Sequence, residues 1–207
     1  MQDVDIVNEA LGKLGIDPIG SLNDQVKPAI KANAIYASVR DGVLEESELT
    51  FSIGRFQPAI DAQAPLGSDY TARYPKDPTI LRVIDAEEAT GSPGVVDGFM
   101  AAMMPDYDAG LDFDVEGSWI VANTGAAKLN VKAVVQVTDP TKFSPNFCRA
   151  LAARLAAELA MPLTENRGKE QDCWKEYLAK LSAARAADGR QGRSKKMKKS
   201  SALRRRF

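Results

Sequence analysis

Along residues 3–15, DVDIVNEALGKLG, the apolar positions Val4, Val7, Leu11 and Leu14 recur at helical spacing with charge between them. This predicts an amphipathic helix, and Gly15 supplies its C-terminal stop. After the turn-like IDPIGSLND, a second periodic stretch from about Asp24 to Glu46 predicts another helix, with Pro28 in the first turn, where a missing N–H costs little. From Leu49 the period shortens. LTFSIGRFQPAIDAQ is interrupted, LGSDYTARYPKDP reads as turn chemistry, and TILRVIDAE reads as a strand between breakers. The apolar run from Val95 to Met104 fits either a buried strand or a short helix, and the strand is the favoured reading. In LDFDVE, Leu111, Phe113 and Val115 alternate with Asp112, Asp114 and Glu116, so one face should be buried and the other acidic. WIVAN resumes the extended pattern after Gly117. LNVKAVVQV then alternates through Leu129, Val131, Ala133, Val135 and Val137, and a hairpin across NTGAAK would pair these last two strands.

Helical spacing returns after TDPTKFSPNF. Ser144 is placed as an N-cap and Pro145 as the first helical residue. Phe147, Leu151, Leu155 and Leu159 recur every four residues, and the alanines between them permit close helix approach. MPLTEN should break this helix. A last one, from about Gly168 to Ala187, would put Trp174, Tyr177, Leu178 and Leu181 on its inner side. The expected class is α+β: an antiparallel helical bundle built from residues 1–48 and 141–189, a β-rich inserted lobe at 49–140, and an extended basic C-terminal tail at 190–207.

Charge changes this picture most at that tail. From Arg190 onward the chain carries nine Lys or Arg and no carboxylate, leaving 18 basic residues against 28 acidic ones before it. An acidic body thus carries a basic arm. Such polarity points to a partner for the arm: a nucleic acid, an acidic protein surface or a neighbouring copy of the same body. The residues offered for that contact are Arg193, Lys195, Lys196, Lys198, Lys199, Leu203, Arg204, Arg205, Arg206 and Phe207. Leu203 and Phe207 could anchor in an apolar groove while the arginines pair with carboxylates.

Composition removes several chemistries. The chain of 207 residues has no histidine, so neither a Ser-His-Asp nor a Cys-His nucleophile pair can be assembled within it. Two separated cysteines, Cys148 and Cys173, cannot make a structural zinc site alone, and their apolar surroundings predict buried small hydrophobes. No apolar run reaches the ~18 residues of a membrane span, and MQDVDIVNEA opens acidic where a secretory signal would be basic. There is neither GxxxxGK[ST] nor GxGxxG to cradle a phosphate. The richest carboxylate cluster is PDYDAGLDFDVEG, with Asp106, Asp108, Asp112, Asp114 and Glu116. Read as a calcium loop, it puts leucine at the glycine position and Gly117 at that of the bidentate Glu. Paired carboxylates could instead cleave a glycosidic bond, but the alternation aims them along a solvated face. No catalytic, cofactor-binding or metal-binding residue is assigned.

Five segments carry a resemblance: IVNEALGKLGIDPIGSLND, IYASVRDGVLEES, LTFSIGRF, DVEGSWIVAN and VTDPTKFSPNFCRALAARLAAELAMPLT. In order and wording the chain resembles the tail tubular protein A family, the head-to-tail adaptors of short-tailed phages, over most of residues 4–189; residues 57–110 depart furthest from it. The resemblance implies a non-enzymatic virion protein, assembled in the host cytoplasm. Copies would form a homo-oligomeric, dodecameric ring under the portal protein, extend the channel for genomic DNA and receive the tail nozzle protein. It implies no cofactor and no membrane, a helical bundle with a β-rich lobe, and a C-terminal segment reaching toward the portal. Two other expectations compete with it: a peptidoglycan-cleaving hydrolase using the acidic residues, and a basic-armed DNA-binding protein.

Overall fold

Helix α1, Asp3–Leu14, begins where Gln2 and Asp5 satisfy each other's backbone donors, the Gln2 N–H reaching Asp5 Oδ2 at 2.6 Å. It ends at Gly15, whose φ of 72° turns the chain so that the Gly15 and Ile16 N–H groups bond the Gly12 and Leu11 carbonyls. Another terminal carbonyl, that of Leu14, accepts from Lys169 Nζ at 2.6 Å. The Asn8 side chain pins the following loop by accepting from the Ile19 N–H (2.8 Å) and donating to its carbonyl (3.0 Å).

These atoms belong to a computed structural model that describes residues 1–89 and 111–190. It is a mixed α+β structure with four helices and two three-stranded antiparallel sheets among the described residues. The expected strand from Val95 to Met104 lies outside them. Helix α2 spans Lys27–Ser47, starting later than the periodicity from Asp24 suggested, because Asp24 Oδ2 accepts from the Gly20 and Ser21 N–H groups in a turn. Helix α3 spans Pro145–Thr164, and Ser144 caps it by accepting from the Phe147 N–H at 3.2 Å. The break expected over MPLTEN falls at its Glu165, while MPLT itself stays helical within α3. Pro162 sits inside its last turn, and the stop comes at Glu165, which adopts the left-handed conformation at φ 54°. Helix α4 then runs from Arg167 to Gly189, capped by the Asn166 side chain.

Helix α3 is buried on nearly every side. Phe147, Leu151, Leu155 and Leu159 are enclosed, as are Ala150, Ala152, Ala153, Ala156, Ala157 and Ala160 between them. A helix apolar all round needs neighbours all round. Helices α1, α2 and α4 pack against it, and the alanines let them approach. Phe51, Phe143 and Phe147 form a tilted and edge-to-face trio at one end, with centroids 4.9 to 5.9 Å apart. On α4 the buried face is Cys173, Tyr177, Leu181 and Ala184. Trp174 and Leu178, expected on the inner side, are 39% and 49% exposed. Both cysteines are free and buried.

The first sheet orders β1 (Ile53–Phe56), β6 (Leu129–Val135) and β3 (Ile80–Glu88). Its two faces bury into different cores. Val134, with the partly buried Ile53, Leu81, Ile84 and Val135, joins the helical core; Leu129, Val131 and Ala133, with Ile80 and Ala86, face the second sheet. The simple alternation expected through Val135 therefore fails at Val134, because the central strand β6 is covered on both sides.

The second sheet orders β2 (Ala72–Pro75), β5 (Trp119–Ala122) and β4 (Phe113–Glu116). ARYP, read as turn chemistry, is strand β2, and its Tyr74 is fully buried with its hydroxyl donating to the Ala126 carbonyl at 2.6 Å. The hairpin expected across NTGAAK does not form. Strand β5 has β2 and β4 on its two edges and β6 has β1 and β3, so residues 123–128 carry the chain between sheets. The real hairpin is β4–β5, closed by Gly117-Ser118 with Gly117 at φ 60° and Glu116 opposite Trp119. Val115, expected to be buried, is 37% exposed.

Candidate interaction surface

On the hairpin, Asp112, Asp114 and Glu116 are exposed, as the alternation of LDFDVE suggested. Their partners are local: Asp112 accepts from Asn123 Nδ2 at 3.0 Å, Asp114 from the Val115 N–H at 2.7 Å, and Glu116 from the Ser68 hydroxyl at 3.4 Å. Tyr70 lies in their field. Desolvation, then the charges of Asp112, Asp114, Glu116 and Asp69, push its phenol above the ordinary range. Asp106 and Asp108 lie outside the described residues. Among those described, no group of three or more His, Cys, Asp or Glu side chains is placed to hold a metal ion, and no helix is long and apolar enough to cross a membrane.

A second acidic region is built by tertiary packing around the C-terminal half of α2. Three adjoining concavities of ≈ 430, ≈ 370 and ≈ 310 Å³ share walls through Glu46, Glu48 and Gly42. They form one trough. It starts at Asp188 and Gly189, where α4 ends, passes Glu45 and Glu48, and runs between α2 and α3 past Val39 and Ile35 to Glu158.

Among the described residues, five carboxylates line the trough against three guanidinium groups, and each guanidinium is engaged. Arg82 pairs with Glu48 and donates to the Glu45 carbonyl. Arg185 donates to the Glu46 carbonyl. Arg154 pairs with Glu158 at 3.0 Å and lies over the rings of Trp174 and Tyr177, 4.2 and 5.3 Å from their centroids. Among the described residues, Glu46 and Asp188 have no cationic partner. Glu46 accepts from the Tyr177 hydroxyl at 2.5 Å, and Asp188 accepts from the Thr50 N–H and hydroxyl at 2.9 and 2.6 Å. The Glu45 side chain has neither cation nor donor among them. Burial, then the bond to Glu46, push the Tyr177 phenol far above its ordinary range.

The residues named for the basic arm, Arg193, Lys195, Lys196, Lys198, Lys199, Leu203, Arg204, Arg205, Arg206 and Phe207, lie outside the described residues. Sequence reasoning missed the trough and the stack on Arg154. The run LEESE carried a trace of the former, and the i,i+4 pair Arg154 and Glu158 a trace of the latter. A comparison with known families gives no match for this chain, and a search of curated proteins gives none.

Proposed function

We propose that the chain is a head-to-tail adaptor of a short-tailed phage. In this reading copies assemble in the host cytoplasm into a ring, dodecameric by resemblance, that joins the portal to the tail nozzle in the virion and extends the channel for genomic DNA. Residues 1–48 and 141–189 supply the two halves of its helical bundle, residues 49–140 its β-rich lobe, and residues 190–207 the basic arm. No catalytic step is assigned to it.

The observation that carries the reading is how the resembling segments sit in the fold. VTDPTKFSPNFCRALAARLAAELAMPLT forms the short turn and helix α3 at the centre of the helical core. DVEGSWIVAN forms most of the β4–β5 hairpin, and IVNEALGKLGIDPIGSLND contains both ends of the Asn8–Ile19 bond that fixes α1 to its loop. Each segment thus corresponds to a structural unit with its own stabilising contacts. The acidic body and basic arm support it further, since a ring of such bodies would keep its outer face repulsive to DNA while leaving the arm to the portal.

Electron microscopy of the purified protein, alone and mixed with portal, tests the reading. Rings that stack coaxially on the portal are expected, with weaker attachment when Arg193 to Phe207 are deleted and weaker still when their charges are reversed. Failure to form any ring or portal complex would overturn it. So would sustained peptidoglycan hydrolysis by highly purified protein that disappears when Asp112, Asp114 and Glu116 are changed to their amides.

A further inference from the structure

We infer that the acidic trough along α2 is a docking site for the chain's own basic segment, residues 191–207, which folds back onto it in the single protein. This contact needs no other molecule, and so stands apart from the adaptor reading.

The trough opens where that segment begins. Asp188 and Gly189 form part of its wall, one residue before Arg190. From Ser47 back to Ile35 the trough follows 12 residues of α2, or roughly 18 Å at a helical rise. Leu203 lies 13 residues beyond Arg190, so it reaches about 20 Å if helical and about 43 Å if extended. Either limit covers the trough.

The order of chemistry matches along the path. Nearest Gly189, the trough presents Glu46, Glu45 and Asp188, which have no cationic partner among the described residues, and the segment presents Arg193, Lys195, Lys196, Lys198 and Lys199. Farther along, the floor turns apolar at Val43, Val39 and Ile35, with Glu158 on the rim. There the segment turns to Leu203 and Phe207, which bracket Arg204, Arg205 and Arg206. The trough's own guanidinium groups are already bound to Glu48, Glu158 and a backbone carbonyl, so its excess negative charge awaits cations from elsewhere. A tether this short holds the segment at roughly millimolar effective concentration, which favours the chain's own trough over a neighbour's in dilute solution.

Zero-length carbodiimide cross-linking of the full chain, followed by peptide mapping, tests the inference, because it joins only lysines and carboxylates in direct contact. The expected products link Lys195, Lys196, Lys198 or Lys199 to Glu45, Glu46 or Asp188 in the monomer band, at a yield unchanged over a hundredfold dilution. Adding 1 M salt should reduce that yield. Glu45→Lys, at a side chain without partners among the described residues, should lower the remaining links to Glu46 and Asp188 at least fivefold with an unchanged thermal transition. A Leu203→Ala, Phe207→Ala variant should lower them through loss of the apolar anchor. Links confined to a dimer band and lost on dilution would assign the trough to a second copy and overturn the inference. Absence of these links, or links insensitive to Glu45→Lys, would overturn it as well.

Discussion

Leu155→Ala probes the centre of the helical core. Leu155 is fully enclosed on α3, the helix that α1, α2 and α4 all touch. The substitution removes three carbons, worth about 2.4 kcal/mol of transfer free energy at roughly 0.8 kcal/mol each. A cavity adds to this at about 24 cal/mol per Å³ of volume that fails to collapse. Collapse should be poor here. The buried residues of α3 around this position include Ala152, Ala153, Ala156 and Ala157, which have no side-chain rotamers to turn into the space. The expected loss therefore lies in the upper part of the usual Leu→Ala range, about 3 to 5 kcal/mol.

Urea unfolding followed by far-ultraviolet circular dichroism measures it, with the midpoint falling and the slope unchanged. For a chain of this length the thermal transition should fall on the order of 10 °C. Leu178→Ala is the internal control: at 49% exposure on α4 it should stay within about 0.5 kcal/mol of wild type. A loss below about 1.5 kcal/mol for Leu155→Ala, with an unchanged slope, would refute the picture of a rigid, alanine-lined centre.

Gly54→Ala should cost about 1 to 3 kcal/mol, because a methyl there would stand 2.6 Å from Val135 Cγ1 and 2.9 Å from the Phe56 ring; an unchanged urea midpoint would contradict that packing. Glu165→Gly should stabilise by about 1 kcal/mol, since Glu165 holds a left-handed conformation that glycine adopts freely, and calorimetry showing a loss would refute it. Tyr36 and Tyr177 both have phenols raised by burial and by bonds to Asp3 and Glu46. The unfolded chain ionises these phenols near pH 10 while the folded one keeps them neutral, so their contribution is complete below about pH 10 and is lost as pH rises toward the folded values. Tyr177→Phe should narrow the fall in urea midpoint between pH 8 and pH 11, and an equal fall in both proteins would show that this phenol is not the alkaline trigger.

Local chemistry explains which parts of the fold were legible in the sequence. Gly15, Ser144 and Pro145 act through bonds within a few residues of themselves, so their positions mark helix ends directly. The four-residue recurrence from Phe147 to Leu159 survived because α3 meets neighbours along its whole length. Elsewhere the same rules misled. Trp174 and Leu178 share a period with Tyr177 and Leu181, yet α4 lies with Cys173 and Ala184 inward, and an aromatic residue carries no mark of which side its helix will present. The β region was harder because strand partners are set by competition between edges. NTGAAK joins two extended segments as a hairpin loop would, but each of those strands finds two better neighbours elsewhere, and nothing local reveals that.

The same distinction governs the candidate surface. The acidic face of LDFDVE follows from alternation, a two-residue rule that the backbone enforces on its own. The trough follows from no such rule. Its carboxylates come from α2, α3 and the end of α4, and what makes them a site is that the arginines brought beside them engage Glu48, Glu158 and a backbone carbonyl, leaving Glu45, Glu46 and Asp188 without a cation among the described residues. A count of charge along the chain contains the imbalance between body and arm but not its address. That address depends on Arg154 reaching the rings of Trp174 and Tyr177, and on Arg185 reaching the Glu46 carbonyl, both products of the register between packed helices. Had Arg185 instead paired with the Glu46 carboxylate, the trough would lose much of its attraction for a basic segment with the composition unchanged. Charge composition can therefore show that a basic segment needs a counterpart, while only the packing of α2, α3 and α4 can say which surface offers one.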